Sequence, residues 1–389
     1  MFAVLSTARK TVARLALFAS VAWLAACQPV SLSNTGLVPS NSVAVALLVP
    51  HGASSAQEQK LARDLENAAR LAVSDLDGVP IDLRVYSTAG NAGQAQAEAL
   101  KAVDDGAQII VGPLHAESAN AVAVAVADKG VNVLAFSNNS TIAGGNLFIL
   151  GQTFENSASR LARYGSQNGK NRVLTVYANN LSGQLGKQAI TNAVSASGGS
   201  NVGSVGYDFS QNGVVDAIPK ITAAASSGNA NAIFMTSNTA GALPLFAQML
   251  PEAGLSPQDI QYIGLTRWDT PPQTLTLPGV QGSWFALPDP NRAAQYNSRF
   301  TASFGETPHP LSGLAYDGIA AIGALSESRG RGALSRAALT QAAGFQGVTG
   351  VFRFLPNGSN ERGLAVATIR DNQVAVISPA PRGFGAAGF

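Results

Sequence analysis

Along this chain, continuous apolar runs alternate with stretches whose apolar residues recur every three or four positions. Residues 43–49 are all apolar and stop at Pro50, as in a strand covered on both faces. Leu61, Leu65, Ala68, Ala69, Ala72 and Leu76 then fall on one face of a helix. The same reading predicts strands at 81–86, 109–111 and 131–136, with helices at 93–103 and 119–127 between them. The pattern restarts after Gly151. Helices at 158–165, 185–195, 214–225 and 243–250 alternate with strands at 173–177, 202–207, 232–236 and 262–265. A strand at 282–286, a segment at 292–304 and a helix at 314–325 follow. Strands and helices alternate without hairpin signals, which predicts an α/β protein with parallel sheets flanked by helices, in two Rossmann-like lobes.

The length of 389 residues suits two domains of about 150 residues each. A hydrophobic content of 46% against 12% charged residues fits large buried cores rather than disorder. The net charge is +2 and no Lys/Arg-rich run exists, so nucleic-acid binding has no electrostatic support. There is no G-x-S-x-G elbow, P-loop or H-E-x-x-H. Histidines at 51, 115 and 309 and a single cysteine do not make a metal cluster. The expectation is therefore a non-enzymatic protein without metal or cofactor.

The N-terminal segment carries a positive start at Arg9, Lys10 and Arg14 and a short apolar run over 15–24. It closes on Leu24-Ala25-Ala26-Cys27. This reads as a lipoprotein signal over 1–26, with Cys27 as the lipidation site and 28–41 as a flexible tether. The apolar run is too short to span a bilayer, which needs about 20 apolar residues. Gln28 in place of the Asp that retains lipoproteins at the inner membrane points to a periplasmic protein anchored to the outer membrane. The Gly/Ala-rich end, 381–389, is expected to be disordered.

Three segments carry a resemblance to a known family. They are Val111-Gly112-Pro113-Leu114, Gly313-Leu314-Ala315-Tyr316-Asp317-Gly318, and 347–354 followed by Pro356-Asn357-Gly358. In their order and spacing the chain resembles type I periplasmic binding proteins of the leucine/isoleucine/valine-binding class, over about 42–377. The resemblance implies two lobes joined by a three-strand hinge, one of 42–150 plus 281–360 and the other of 151–280 plus 361–380. The ligand cleft would lie at the carboxyl ends of the parallel strands. Carried over residue by residue, the first lobe's ligand positions fall on Ala116, with Ser118 nearby, and on Asn138 and Ser140. The second lobe's aromatic positions fall near Ser182 and Asn238, and its acidic position near Thr266. A small shift in alignment brings in Trp268 as a stacking group and Asp269 as the acid. His51 and His115, on loops at strand ends, are further cleft candidates. The alternatives are capping for the Ser/Asn/Thr cluster, a surface turn for 267–268 and ordinary solvation for the histidines.

This departure from an amino-acid site, with the lipoprotein signal and Gln28, resembles penicillin-binding protein activators, lipoproteins that stimulate a peptidoglycan synthase by contact. That is the preferred expectation from sequence. The alternative is a solute-binding receptor of an ABC importer for a branched-chain amino acid, an amide or another small amino-acid-like ligand. Replacing Cys27 by Ala should release the protein from membranes; fractionation showing unchanged membrane association would count against lipidation.

Overall fold

The computed structural model describes residues 42–329 and 332–385; the signal, Cys27 and the tether lie outside them. Five parallel strands form the first sheet: β1 (Val43–Val49), β2 (Ile81–Ser87), β3 (Ile109–Val111), β4 (Asn132–Ala135) and β5 (Leu147–Ile149), in the order β2-β1-β3-β4-β5. Helices α1 (Ala56–Asp75), α2 (Ala92–Asp104) and α3 (Ala116–Val126) connect them. Beyond Val43, β1 is buried throughout, the result of its central place with helices on both faces. Ser55 accepts from the Glu58 amide to start α1, and the apolar stripe found in the sequence is the face it buries. Gly112 follows β3 at φ +91°, and a Cβ there would collide with the Leu48 carbonyl, so this position requires glycine.

The second sheet has the order β15-β14-β10-β9-β8-β6-β7. Its parallel part is β6 (Arg172–Ala178), β7 (Ser200–Tyr207), β8 (Ala232–Met235), β9 (Gln261–Gly264) and β10 (Trp284–Leu287). The antiparallel strands β14 (Ala365–Arg370) and β15 (Gln373–Ser378) complete it. Helices α4 (Phe154–Gln167) and α5 (Leu181–Ala196) share a core with one face. Helices α6 (Gln211–Ser227) and α7 (Leu243–Glu252) share a core with the other. The remaining elements return to the first sheet. Helices α8 (Pro290–Phe304), α9 (Gly313–Arg329) and α10 (Arg336–Leu339), with strands β11 (Phe345–Gly347) and β12 (Gly350–Phe354), pack into the core that α1 shares with β1 and β3. β12 also pairs with β13 (Asn360–Arg362) in a small antiparallel sheet.

The α/β two-lobe architecture is as expected, with two corrections. Residues 284–287 were expected with the first lobe but hydrogen-bond to β9 and β14 in the second sheet. The tail was expected to be disordered from 381, yet 381–385 are placed against the small sheet. The Arg353 guanidinium lies 4.5 Å over the Phe384 ring, and the Gln346 amide donates to the Arg382 carbonyl.

The chain therefore passes between the two sheets three times, at 150–153, 288–289 and 363–364. One buried cluster touches all three passages. Asp317 on α9 accepts from the Val348 amide at 2.8 Å, from the Thr349 hydroxyl, and from Arg362 at 3.1 Å. Arg362 also donates to the Leu150 carbonyl, at 2.9 Å through Nε. The Asp289 amide donates to the Thr349 carbonyl. Gly347 has to be glycine, because a Cβ there would overlap the Asp317 carboxylate. Asp317 and Arg362 are 0% and 4% exposed. Burial pushes the Asp317 carboxyl above its ordinary range, against the pull of Arg362, Thr349 and Val348.

Asp317→Ala or Arg362→Met leaves the other charge buried and unpaired, a loss of about 3–5 kcal/mol. Urea titration should show each single variant well below the parent midpoint, and the double variant should lose less than the sum. Additive losses would mean the two groups do not act as a pair.

Candidate functional site

The candidate residues lie at the carboxyl ends of parallel strands in both sheets. His51 follows β1; His115, Ala116 and Ser118 follow β3; Asn138 and Ser140 follow β4. Ser182 follows β6, Asn238 follows β8, and Thr266, Trp268 and Asp269 follow β9. This is where open α/β sheets bind ligands. The local contacts divide these residues into groups with different capabilities.

Both histidines are tied to carboxylates on α1. His51 Nε2 lies 2.8 Å from Glu66 Oε2, and Glu66 also accepts from Arg70. His115, the N-cap of α3, makes no capping bond; its Nε2 lies 3.1 Å from Glu58 Oε1. Ala116 opens α3 half-buried, and Ser118 in its first turn is buried. Asn138 is exposed. Its neighbour Asn139 does the capping, accepting from the Thr141 amide and hydroxyl at 3.0 and 2.8 Å. Ser140 donates at 2.8 Å to Glu155, the second residue of α4, and so bridges the first passage between the sheets.

In the second lobe, Ser182 is exposed in the first turn of α5, which Asn180 caps through the Gly183 amide. Asn238 is exposed, and its carbonyl accepts from the Gly241 and Leu243 amides. The Thr266 hydroxyl is buried without a hydrogen-bond partner, as is that of Ser237 at the end of β8. Trp268 is a correction to the expected stacking role. It is fully buried in the second lobe's core, donates Nε1–H to the Ser237 carbonyl at 3.2 Å, and fills the space left by the missing side chain of Gly264. Asp269 is held by both branches of Arg267, at 2.9 and 2.5 Å, so its charge is already matched. The Arg267–Asp269 pair thus occupies the loop in which an acid for a ligand's ammonium was expected.

Three features at this end of the fold lack a motif. Leu181 and Phe209 are 76% and 62% exposed after β6 and β7, unusual for large apolar side chains in a charge-poor protein. The Phe209 ring leans on Gly241 beside a shallow cavity of about 310 Å³ that Val214 and Leu245 also line. A larger cavity of about 430 Å³ lies between α4 and the β12–β13 hairpin; of the candidate residues only Ser140 borders it. Exposed aromatic residues directly after strands are the signal that would have found the first. The second joins residues some two hundred positions apart, and no local pattern marks it.

A family model described as periplasmic binding protein matches residues 42–373. No curated protein matches the chain significantly. Among solved structures, a candidate branched-chain amino acid ABC transporter from Rhodospirillum rubrum is similar with a TM-score of 0.74 and 19% identity, over 86% of this chain and all (100%) of that one. An ABC transporter substrate-binding protein from Desulfitobacterium hafniense, in complex with Leu, gives 0.64 and 17% over 86% of this chain and 100% of that one. A solute-binding protein from R. palustris, in complex with benzoate, gives 0.58 and 16% over 90% and 99%. At these identities the likeness is one of fold.

The contacts along α1 carry a pH dependence. Burial raises the Glu66 carboxyl, but hydrogen bonds and charge from Arg70 and His51 outweigh it and hold the group below its ordinary range. Its folded pKa is depressed, so its contribution to stability is complete above the unfolded value of about 4.3 and is lost as pH falls through the folded value. Thermal midpoints followed from about pH 5 down to pH 3 should fall more steeply in the parent than in Glu66→Gln. Parallel curves would remove Glu66 from the account.

Proposed function

Because the chain belongs to the periplasmic binding protein family, we propose that it is a non-catalytic periplasmic solute receptor that captures a small organic ligand between its lobes for an ABC importer. The observation that carries this reading is the pairing of polar strand ends in both sheets with three passages of the chain between them. Such a joint lets two lobes close around a ligand and exclude water. Family members of this fold hold leucine in one case and benzoate in another. The ligand chemistry here is constrained by Asp269. A zwitterion leaving water needs a partner for its ammonium, or burial costs several kcal/mol. With Arg267 already on Asp269, a ligand bearing a carboxylate or amide and no free ammonium fits the second lobe better than an amino acid.

A second reading, an outer-membrane lipoprotein that activates a peptidoglycan synthase, is favoured by the exposed Leu181 and Phe209 at the rim of the second lobe. Apolar side chains at such a rim suit a protein contact. Anchoring separates the two, because an importer's receptor has to reach inner-membrane subunits.

Thermal-shift screening and calorimetry with leucine, benzoate and benzamide test the receptor. A ligand at 100 times its Kd stabilises the folded state by about 2.7 kcal/mol. Benzoate or benzamide should shift the midpoint more than leucine does. Silence from a broad panel of small solutes, with the protein in the outer-membrane fraction, would favour the synthase partner instead.

A further inference from the structure

The larger cavity has a charge imbalance that the strand-end site does not explain. One wall is the first three turns of α4, with Glu155, Ser159, Arg160 and Arg163; the other is the β12–β13 hairpin, with Asn360 and Glu361. Glu361 is neutralised by Arg353 at 2.5 Å. Arg160 and Arg163 stand three residues apart on one helix face, where side chains are neighbours. Arg160 donates only to neutral groups: the Leu364 carbonyl at 2.7 Å, the Ser378 hydroxyl at 2.6 Å and the Pro379 carbonyl at 3.3 Å. Arg163 makes no hydrogen bond or ion pair among the described residues. Burial, and then the like charge of Arg163, pushes the Arg160 pKa down. Glu155 accepts from Ser140 and has no cation within ion-pair distance among the described residues. Arg362, which also borders the cavity, is paired with Asp317, so the two guanidiniums of α4 against one unmatched carboxylate leave a single positive charge to be balanced. Asn360, also lining the cavity, keeps its side-chain oxygen buried without a hydrogen-bond partner.

We propose that this cavity is a second binding site, for a small monocarboxylate that also carries a hydrogen-bond donor. Its carboxylate lies between Arg160 and Arg163, and its donor faces Glu155 and Asn360. Guanidinium matches carboxylate geometry in a two-pronged fashion. Glu155 disfavours a second negative charge, which selects a monoanion over a phosphate dianion. The volume of about 430 Å³ is within the range of ordinary small-molecule sites. One wall packs on the second sheet and the other on the first, so an occupant touches both lobes.

The test is calorimetry on the intact soluble chain with lactate, mandelate, mandelamide and inorganic phosphate. Lactate or mandelate should bind, while mandelamide and phosphate should bind at least tenfold more weakly. Arg163→Gln, which removes no hydrogen bond or ion pair among the described residues, should weaken the carboxylate at least tenfold with an unchanged ligand-free thermal midpoint. Glu155→Gln should tighten it and admit phosphate. Ser182→Trp, which crowds the strand-end site, should leave it unaltered while abolishing any heat from the receptor ligand, so the two sites fail separately. No binding by either carboxylate, binding that survives in Arg163→Gln, binding lost in Ser182→Trp, or phosphate binding as well as mandelate would each overturn the proposal.

Discussion

Asp317 is buried with three donors around its carboxylate, and one of them, Arg362, is the only cation among them. Removing two charges from water costs several kcal/mol per ion, and their attraction roughly offsets that cost when the geometry is good. The upward displacement of the Asp317 pKa reflects that opposition. The value of the pair therefore lies in position rather than in net stability. It sets the turn at 348–349 against α9 and brings Leu150 and Asp289 to the same point. Asn360 reinforces the joint, its amide donating to the Ile149 and Gly151 carbonyls at 2.7 and 2.9 Å. The strand ends discussed above are carried by two sheets that these passages join.

Around that joint the two lobes solve the same packing problem with different residues. In both, small side chains let helices lie close to the sheet: Ala68, Ala69 and Ala72 on α1, and Ala158 and Ala162 on α4. Bulky aromatics then fill much of the remaining space. Phe148, Phe345, Phe352 and Phe354 cluster beneath the hairpin in the first lobe, at centroid distances of 5.5 to 6.1 Å. In the second lobe Tyr207 and Phe246 make an edge contact at 5.0 Å, and Trp268 lies in the same core. The expected cleft aromatic was spent on this core, and the exposed aromatic surface moved to Phe209.

The β-strands and helices were legible wherever periodicity was strong. The apolar run at 43–49 and the stripe from Leu61 to Ala72 became β1 and α1 with little change. Short elements were legible only in part: the three-residue β3 was predicted at its observed bounds, while β5 was missed. β5 has three residues, and a three-residue apolar run has no period. The lobe membership of β10 was misjudged because strand pairing is a long-range choice: Trp284 pairs with Thr368, 84 positions further along the chain. At the site, strand-end position was readable, but availability was not. Trp268 and Asp269 sit four and five residues past the end of β9, in a strand-end loop like any cleft residue, and only the fold reveals that one is core and the other already matched. The arginines of α4 carried no local sequence signal, because the hairpin across the cavity from them lies some two hundred positions further along the chain.

The bonds that reach the passages themselves come from a guanidinium and a carboxamide and end on backbone carbonyls. None of these groups exchanges protons in the range where a protein stays folded. Asp317, which orients Arg362, is the group at this joint that acid can reach, and burial already raises its pKa. The joint's hold on the carbonyls of the first passage thus runs through groups that do not titrate, while its tie to α9 runs through a carboxylate that does.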